Sequence, residues 1–142
     1  IKPQSYLGRR FFAGLIDYTI IYILILILTF SLIPTDQNGD YPMNGIFPLL
    51  IIGCWFAITV CVEISLGSTL GNALVGIKPI PINGVNRKLT FLESFKRHLL
   101  DPVDMFFFGL VGFVTIQSSE YHQRVGDIWA KTIVVSKDYI GK

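Results

Sequence analysis

The stretch from Phe11 to Ile33 runs almost without polar side chains, yet it carries Asp17 inside its first turns. A helix of that length rises about 34 Å, enough for a hydrocarbon layer of ~30 Å. A carboxylate in such a layer costs roughly 2.5–3.5 kcal/mol by insertion scales, so it has to face protein, water or a partner charge. The pattern predicts a small integral membrane protein with an internal polar site.

Composition agrees. The 142 residues are 51% hydrophobic and 15% charged, which is one domain's worth of chain with too few charges for an ordinary soluble surface. We therefore expect a single membrane domain over residues 1–142. Lys plus Arg number 12 against 10 Asp plus Glu, and no basic patch interleaved with aromatics occurs, so nucleic acid is excluded as a partner. Cys54 and Cys61 share one apolar stretch. On a helix they are separated by about 10.5 Å of rise, beyond the ~4.4–6.8 Å a disulfide spans, and they read as small buried hydrophobes. Lys2, Arg9 and Arg10 resemble the basic region of a signal peptide, but the apolar run is too long and no A-x-A-like site precedes Pro34. Ile1 as first residue suggests a start farther upstream.

Basic residues mark the cytoplasmic side. They precede the first span (about 11–33), whereas the connector Pro34 to Gly45 holds Asp36 and Asp40 and no basic residue. This places the N-terminus in the cytoplasm and the connector outside. A second span covers about 46–66, with Pro48 in its first turn and Glu63 near its inner end. Gly67-Ser68-Thr69-Leu70-Gly71 then breaks the helix, and the Gly67-x-x-x-Gly71 spacing reads as a turn.

Beyond the second span, Ala73 to Ile82 predicts a short strand, closed by a turn at Asn83-Gly84. Thr90 and Glu93 form a capping-box pattern. The helix they start sets Phe91, Leu92, Phe95, Leu99 and Leu100 against Lys96, Arg97 and His98, an amphipathic element suited to the interface. Pro102 ends or kinks it. The third hydrophobic region (about 91–117) is ambiguous: Val103 to Ile116 is short for a crossing, and a full crossing would put Arg124, Lys131 and Lys137 outside. A third crossing, bent at Pro102, and a re-entrant hairpin both fit. Thr132-Ile133-Val134-Val135 predicts a strand that pairs with the one near Ile77, with Pro79 limiting pairing to one side. The fold class is thus an all-α membrane protein: two long transmembrane helices, an amphipathic or re-entrant region, and a small cytoplasmic strand pair.

The candidate polar residues are Arg10, Asp17, Glu63, Arg97 and Asp127. Arg10 and Asp17 share a stripe with Ala13 and Gly14, small residues that let another helix approach. Asp17 and Glu63 lie at similar depth, so they can share a proton or hold a cation. The competing reading is structural: Asp17 pairs with Arg97 or Arg10, and Glu63 snorkels to the interface. Asp127 also suits an ordinary cap or turn, and Trp129 a headgroup anchor. His98 and His122 stand alone and make no metal spacing. No phosphate loop, nucleophile elbow or H-E-x-x-H string occurs, so we expect no cofactor, no metal and no enzymatic activity.

Three stretches together resemble the RDD family of small membrane proteins. RRFFAGLID matches the family's R-x-x-A-x-x-x-D at Arg10, Ala13 and Asp17. GSTLGNALVGIKPI resembles its G-x-T-x-G-K-x-x-x-G-I-x-V segment, and QRVGDIWAKTIVV its D-x-x-A-x-T-x-V ending at Asp127, Ala130, Thr132 and Val134. The family's name refers to an arginine and two aspartates, which carry over to Arg10, Asp17 and Asp127. Asn72 stands where the family has lysine, and Pro79 interrupts the strand-like segment. The resemblance implies a multi-pass protein of the cell inner membrane. Some members are linked to exchange of sodium or potassium for protons, and others look like accessory parts of larger assemblies. Two expectations follow: proton-coupled monovalent cation exchange by an oligomer in membrane lipid, or a non-enzymatic subunit joined to other integral membrane proteins.

Overall fold

The computed structural model describes residues 4–140; Lys2, counted above among the N-terminal basic residues, lies outside them. The first helix, α1, is Leu7–Leu32. It starts four residues before the expected boundary because its charged first turns are held in the helix by a remote partner: the Arg10 guanidinium donates to Asp127 and to the His122 carbonyl. After the connector, in which Asp36 accepts the N–H groups of Asn38 and Asp40, the chain enters a second continuous helix, Ile46–Leu66. This comprises α2 (Ile46–Phe56), a π-helical turn (Ala57–Cys61) and α3 (Val62–Leu66). Both long helices are apolar enough to cross a membrane. The π turn has no signature in the apolar pattern. Cys54 is buried, Cys61 partly so, and both are free thiols.

Gly67 ends α3 in the left-handed region at φ 86°. The Thr69 side chain then accepts the N–H of Asn72 and caps α4 (Leu70–Leu74). That cap makes the chain helical where a strand was expected from Ala73, so β1 is confined to Ile77–Pro81. α4 packs on α1 at the small-residue stripe, and Gly71 permits it: a Cβ there would collide with the carbonyl oxygen of Ala13.

β1 pairs antiparallel with β2 (Thr132–Ser136), with Pro79 opposite Val134. Ile82 N–H donates to the Lys131 carbonyl at 2.9 Å, so the even-numbered amides of this stretch face β2. Pro79 and Pro81 share the opposite parity. Their missing N–H groups fall on the outer edge, where a ladder bond is not needed. Ile80, Ile133 and Val135 form the apolar core of this ribbon, and the short α9 (Lys137–Ile140) follows it.

The capping box of Thr90 and Glu93 opens α5 (Phe91–Leu99). Its faces are reversed relative to a soluble amphipathic helix. Ser94, Arg97 and His98 are buried, while Phe91, Leu92 and Leu99 are exposed. α6 (Asp101–Asp104) contains Pro102, and α7 (Phe106–Ser118) carries the apolar segment. The break falls at Met105, later than Pro102, and bends the two halves by 118°. Such a bend fits a broken third span as well as a re-entrant hairpin. Phe107, Phe108 and Gly109 all take positive φ at the turn. α8 (Val125–Ala130) then leads into β2. Gly126 lets α8 touch α5, because a Cβ there would strike the Arg97 carbonyl.

Gly71→Ala should lower stability by about 1–3 kcal/mol through overpacking against α1. Gly53→Ala, with open space around its Cβ position, should leave stability unchanged or slightly raised. Thermal unfolding in detergent, followed by circular dichroism, checks both.

Candidate functional site

Five carboxylates, three arginines and one histidine converge where α1, α3, α5, α6 and α8 meet. The carboxylates are Asp17, Glu63, Asp101, Asp104 and Asp127; all are buried. The cations are Arg10, Arg97 and Arg124, with His98. Spacing explains part of the set: Ser94, Arg97 and His98 share one face of α5, and Asp101 follows at the start of α6.

Arg97 is the bridge. Its Nη1 binds Glu63 and its Nε donates to Asp127 at 2.8 Å. Glu63 is fully buried, which corrects the expectation that it snorkels. Its other oxygen accepts from Ser94 Oγ at 2.6 Å and lies 3.2 Å from His98 Nε2. Through Nδ1 the same ring meets Asp101 at 3.1 Å, so His98 does not stand alone. Two carboxylates are both acceptors, and a ring that satisfies both is the imidazolium. Asp101 also accepts from Tyr18 Oη at 2.7 Å and Arg124 Nη1 at 3.2 Å.

Asp127 takes both roles considered for it. As the third residue of α8 it accepts the Arg124 backbone N–H at 3.2 Å, an ordinary capping arrangement. It also returns to Arg97 and accepts from Arg10 Nη1 at 2.9 Å. Burial by itself would raise the pKa of this carboxyl. Attraction to Arg97, Arg124 and Arg10 outweighs that and holds it well below the usual aspartate value of 3.8. Burial would likewise lower the Arg124 pKa, but Asp127, Asp101 and Asp104 raise it overall. Asp104 caps α8, accepting from Val125 N at 3.0 Å and Gly126 N at 3.4 Å.

Asp17 stands apart. Its carboxylate accepts the Gly71 N–H at 2.7 Å, at the start of α4. It makes no ion pair with Arg10 or Arg97 among the described residues, and the expected hydrogen-bonded pair with Glu63 is not formed, because both Glu63 oxygens are already engaged. A cavity of about 70 Å³ lies beside it, lined in part by Asp17, Tyr18, Thr59 of the π turn, Thr69 and Asn72 and also by the cationic Arg10, Arg97, His98 and Arg124. With His98 as imidazolium, the cluster still has one carboxylate more than it has cationic side chains. Asp17 is the one with no cationic neighbour in bonding range.

The arrangement joins both ends of the chain through one arginine and one aspartate of the RRFFAGLID and QRVGDIWAK segments, and sets the second aspartate against the glycine segment. The family model for RDD matches residues 5–131. The chain belongs to the RDD family. No curated protein and no solved structure matches it. In this RDD protein the signature arginine and the C-terminal aspartate are partners, while the first aspartate holds α4. The sequence reading brought together Arg10, Glu63, Arg97 and Asp127 only as separate candidates. It missed Tyr18, Asp101 and Asp104 as members, although the three-and-four spacing from Ser94 to Asp101 was visible. Trp129 is half exposed, with Lys96 Nζ 5.4 Å from its ring centroid.

Asp127→Asn should cost about 3–5 kcal/mol, because it leaves Arg10 and Arg97 short of a buried counter-charge. A depressed folded pKa stabilises above the unfolded value and loses that stabilisation as pH falls through the folded one. Wild-type stability should therefore decline with acid below about pH 3.8, and the variant should show a shallower decline there. Chemical unfolding in detergent across pH 2 to 6 measures both.

Proposed function

We propose that this RDD protein exchanges protons for a monovalent cation across the cell inner membrane, with Asp17 as the group that alternates between them. The single observation that carries the reading is a buried carboxylate with no cationic partner among the described residues, held by one backbone N–H beside a small polar cavity. A carboxylate in that setting is neutralised by a proton or by a small cation, and competition between the two is the elementary step of exchange. Hydroxyls of Thr59 and Thr69 and the amide of Asn72 offer oxygen ligands at the same cavity. π turns recur at functional sites, and this one brings Thr59 there. Arg10, Glu63, Arg97 and Asp127 act as a fixed electrostatic frame around the exchanging group.

Two long spans and a bent helix pair give one chain little room for alternating access. A homo-oligomer in membrane lipid would supply the pathway, with the N-terminus in the cytoplasm as the basic residues favour. The second reading is a non-enzymatic accessory subunit held to a larger membrane protein. The closed Arg10–Asp127–Arg97–Glu63 network favours it, since those charges already satisfy one another.

Liposomes containing only this protein, under an imposed pH gradient in sodium or potassium, separate the two. Asp17→Asn keeps an oxygen for the Gly71 N–H, so the fold should survive. Flux in the wild type, falling at least about tenfold in the variant (~1.4 kcal/mol in barrier terms), supports exchange. No wild-type flux, with stoichiometric co-purification of another membrane protein, overturns it in favour of the subunit.

A further inference from the structure

A second cavity, of about 250 Å³, lies between α1 and α7, and its two halves differ chemically. The inner end carries Arg10, Arg124, Asp101 and Asp104; the outer walls are apolar and include Phe11, Leu15, Phe108 and Phe113. All four of these wall residues are exposed.

The inner end looks balanced in charge, but a buried donor there lacks an acceptor. Every carboxylate oxygen there already accepts: Asp101 from Arg124, Tyr18 and His98, and Asp104 from the Val125 and Gly126 N–H groups. The donors are not exhausted. Arg10 uses Nη1 on Asp127 and Nη2 on the His122 carbonyl, 2.9 Å each. Its Nε is buried with no partner among the described residues, on a side chain only 8% exposed. Arg124 makes one side-chain hydrogen bond, through Nη1, and longer ion pairs through Nε to Asp104 at 4.0 Å and Asp127 at 3.8 Å; its side chain is 23% exposed. A buried donor left unsatisfied costs about 1–3 kcal/mol, so a ligand that brings acceptors is favoured.

Guanidinium groups match the geometry of phosphate oxygens, and the adjoining walls match a hydrocarbon chain. We infer that the cleft between α1 and α7 binds an anionic phospholipid, its phosphate on Arg10 and Arg124 and its acyl chain along Phe11, Leu15, Phe108 and Phe113. A phosphatidylglycerol head carries net negative charge, whereas the ammonium of a zwitterionic head offsets its phosphate, so the two guanidinium groups favour the former. The walls belong to one of the two long apolar helices and to the apolar α7, which makes the bilayer the natural source of the ligand. The inference does not depend on whether Asp17 exchanges ions.

Native mass spectrometry of the full chain, released from micelles with phosphatidylglycerol or phosphatidylcholine of matched chains, tests it. The wild type should retain one phosphatidylglycerol per chain and at least about tenfold less phosphatidylcholine. Leu15→Trp, which fills the apolar half, should reduce retention to the phosphatidylcholine level while the lipid-free melting temperature stays put. Arg124→Gln should abolish the headgroup preference. Equal retention of both lipids by the wild type overturns the proposal, and so does full phosphatidylglycerol retention in either variant. Inorganic phosphate that raises the melting temperature as much as phosphatidylglycerol does would assign the site to a free anion and overturn the lipid.

Discussion

A guanidinium can be buried in a chain this apolar only if its donors are met by acceptors, and Arg97 is met on two sides. Glu63 reaches it from the end of the second long helix and Asp127 from α8. Removing either carboxylate strands the other partners, because Asp127 also neutralises Arg10 and Glu63 also contacts His98. Three segments far apart in sequence are thereby fixed to one point. The position of the strand ribbon follows from that anchor, since α8 leads directly into β2, and β2 sets the register of β1.

Burial is inverted relative to a soluble protein. Ser94, Arg97 and His98 of α5 are buried at this anchor, while Phe91, Leu92 and Leu99 are exposed. In water that arrangement would expose large apolar side chains at a cost of a few kcal/mol each. Beside lipid the penalty vanishes, and association between helices depends on hydrogen bonds and close packing instead. The collisions that a side chain would cause at Gly71 and Gly126 mark two places where backbones come that close.

The length and apolar character of the two long helices were legible, because a bilayer imposes a simple length rule. The capping box at Thr90 and the pairing of the strand near Ile77 with the C-terminal strand were legible for local reasons. What failed to appear was long-range. Arg10 and Asp127 are 117 positions apart, and no periodicity relates them; only the family motif put them in one sentence. The direction in which α5 presents its polar face depends on what lies on either side of it. Asp101 was not among the candidate residues, although it lies only three positions beyond His98, at the start of α6. Backbone changes such as the π turn leave no compositional trace, because Ala57 to Cys61 is as apolar as the helix around it.

The parity of Pro79 and Pro81 has a consequence for self-association. The outer flank of β1 lacks two amide donors in a row of alternate positions, so a further strand cannot zip onto it. On the far side of β2 the Thr132 carbonyl already accepts from Gln123 Nε2 at 2.6 Å, and Thr132 to Val135 are buried. Both long edges of the ribbon are thereby closed to a further strand, so the sheet cannot grow by edge-to-edge stacking.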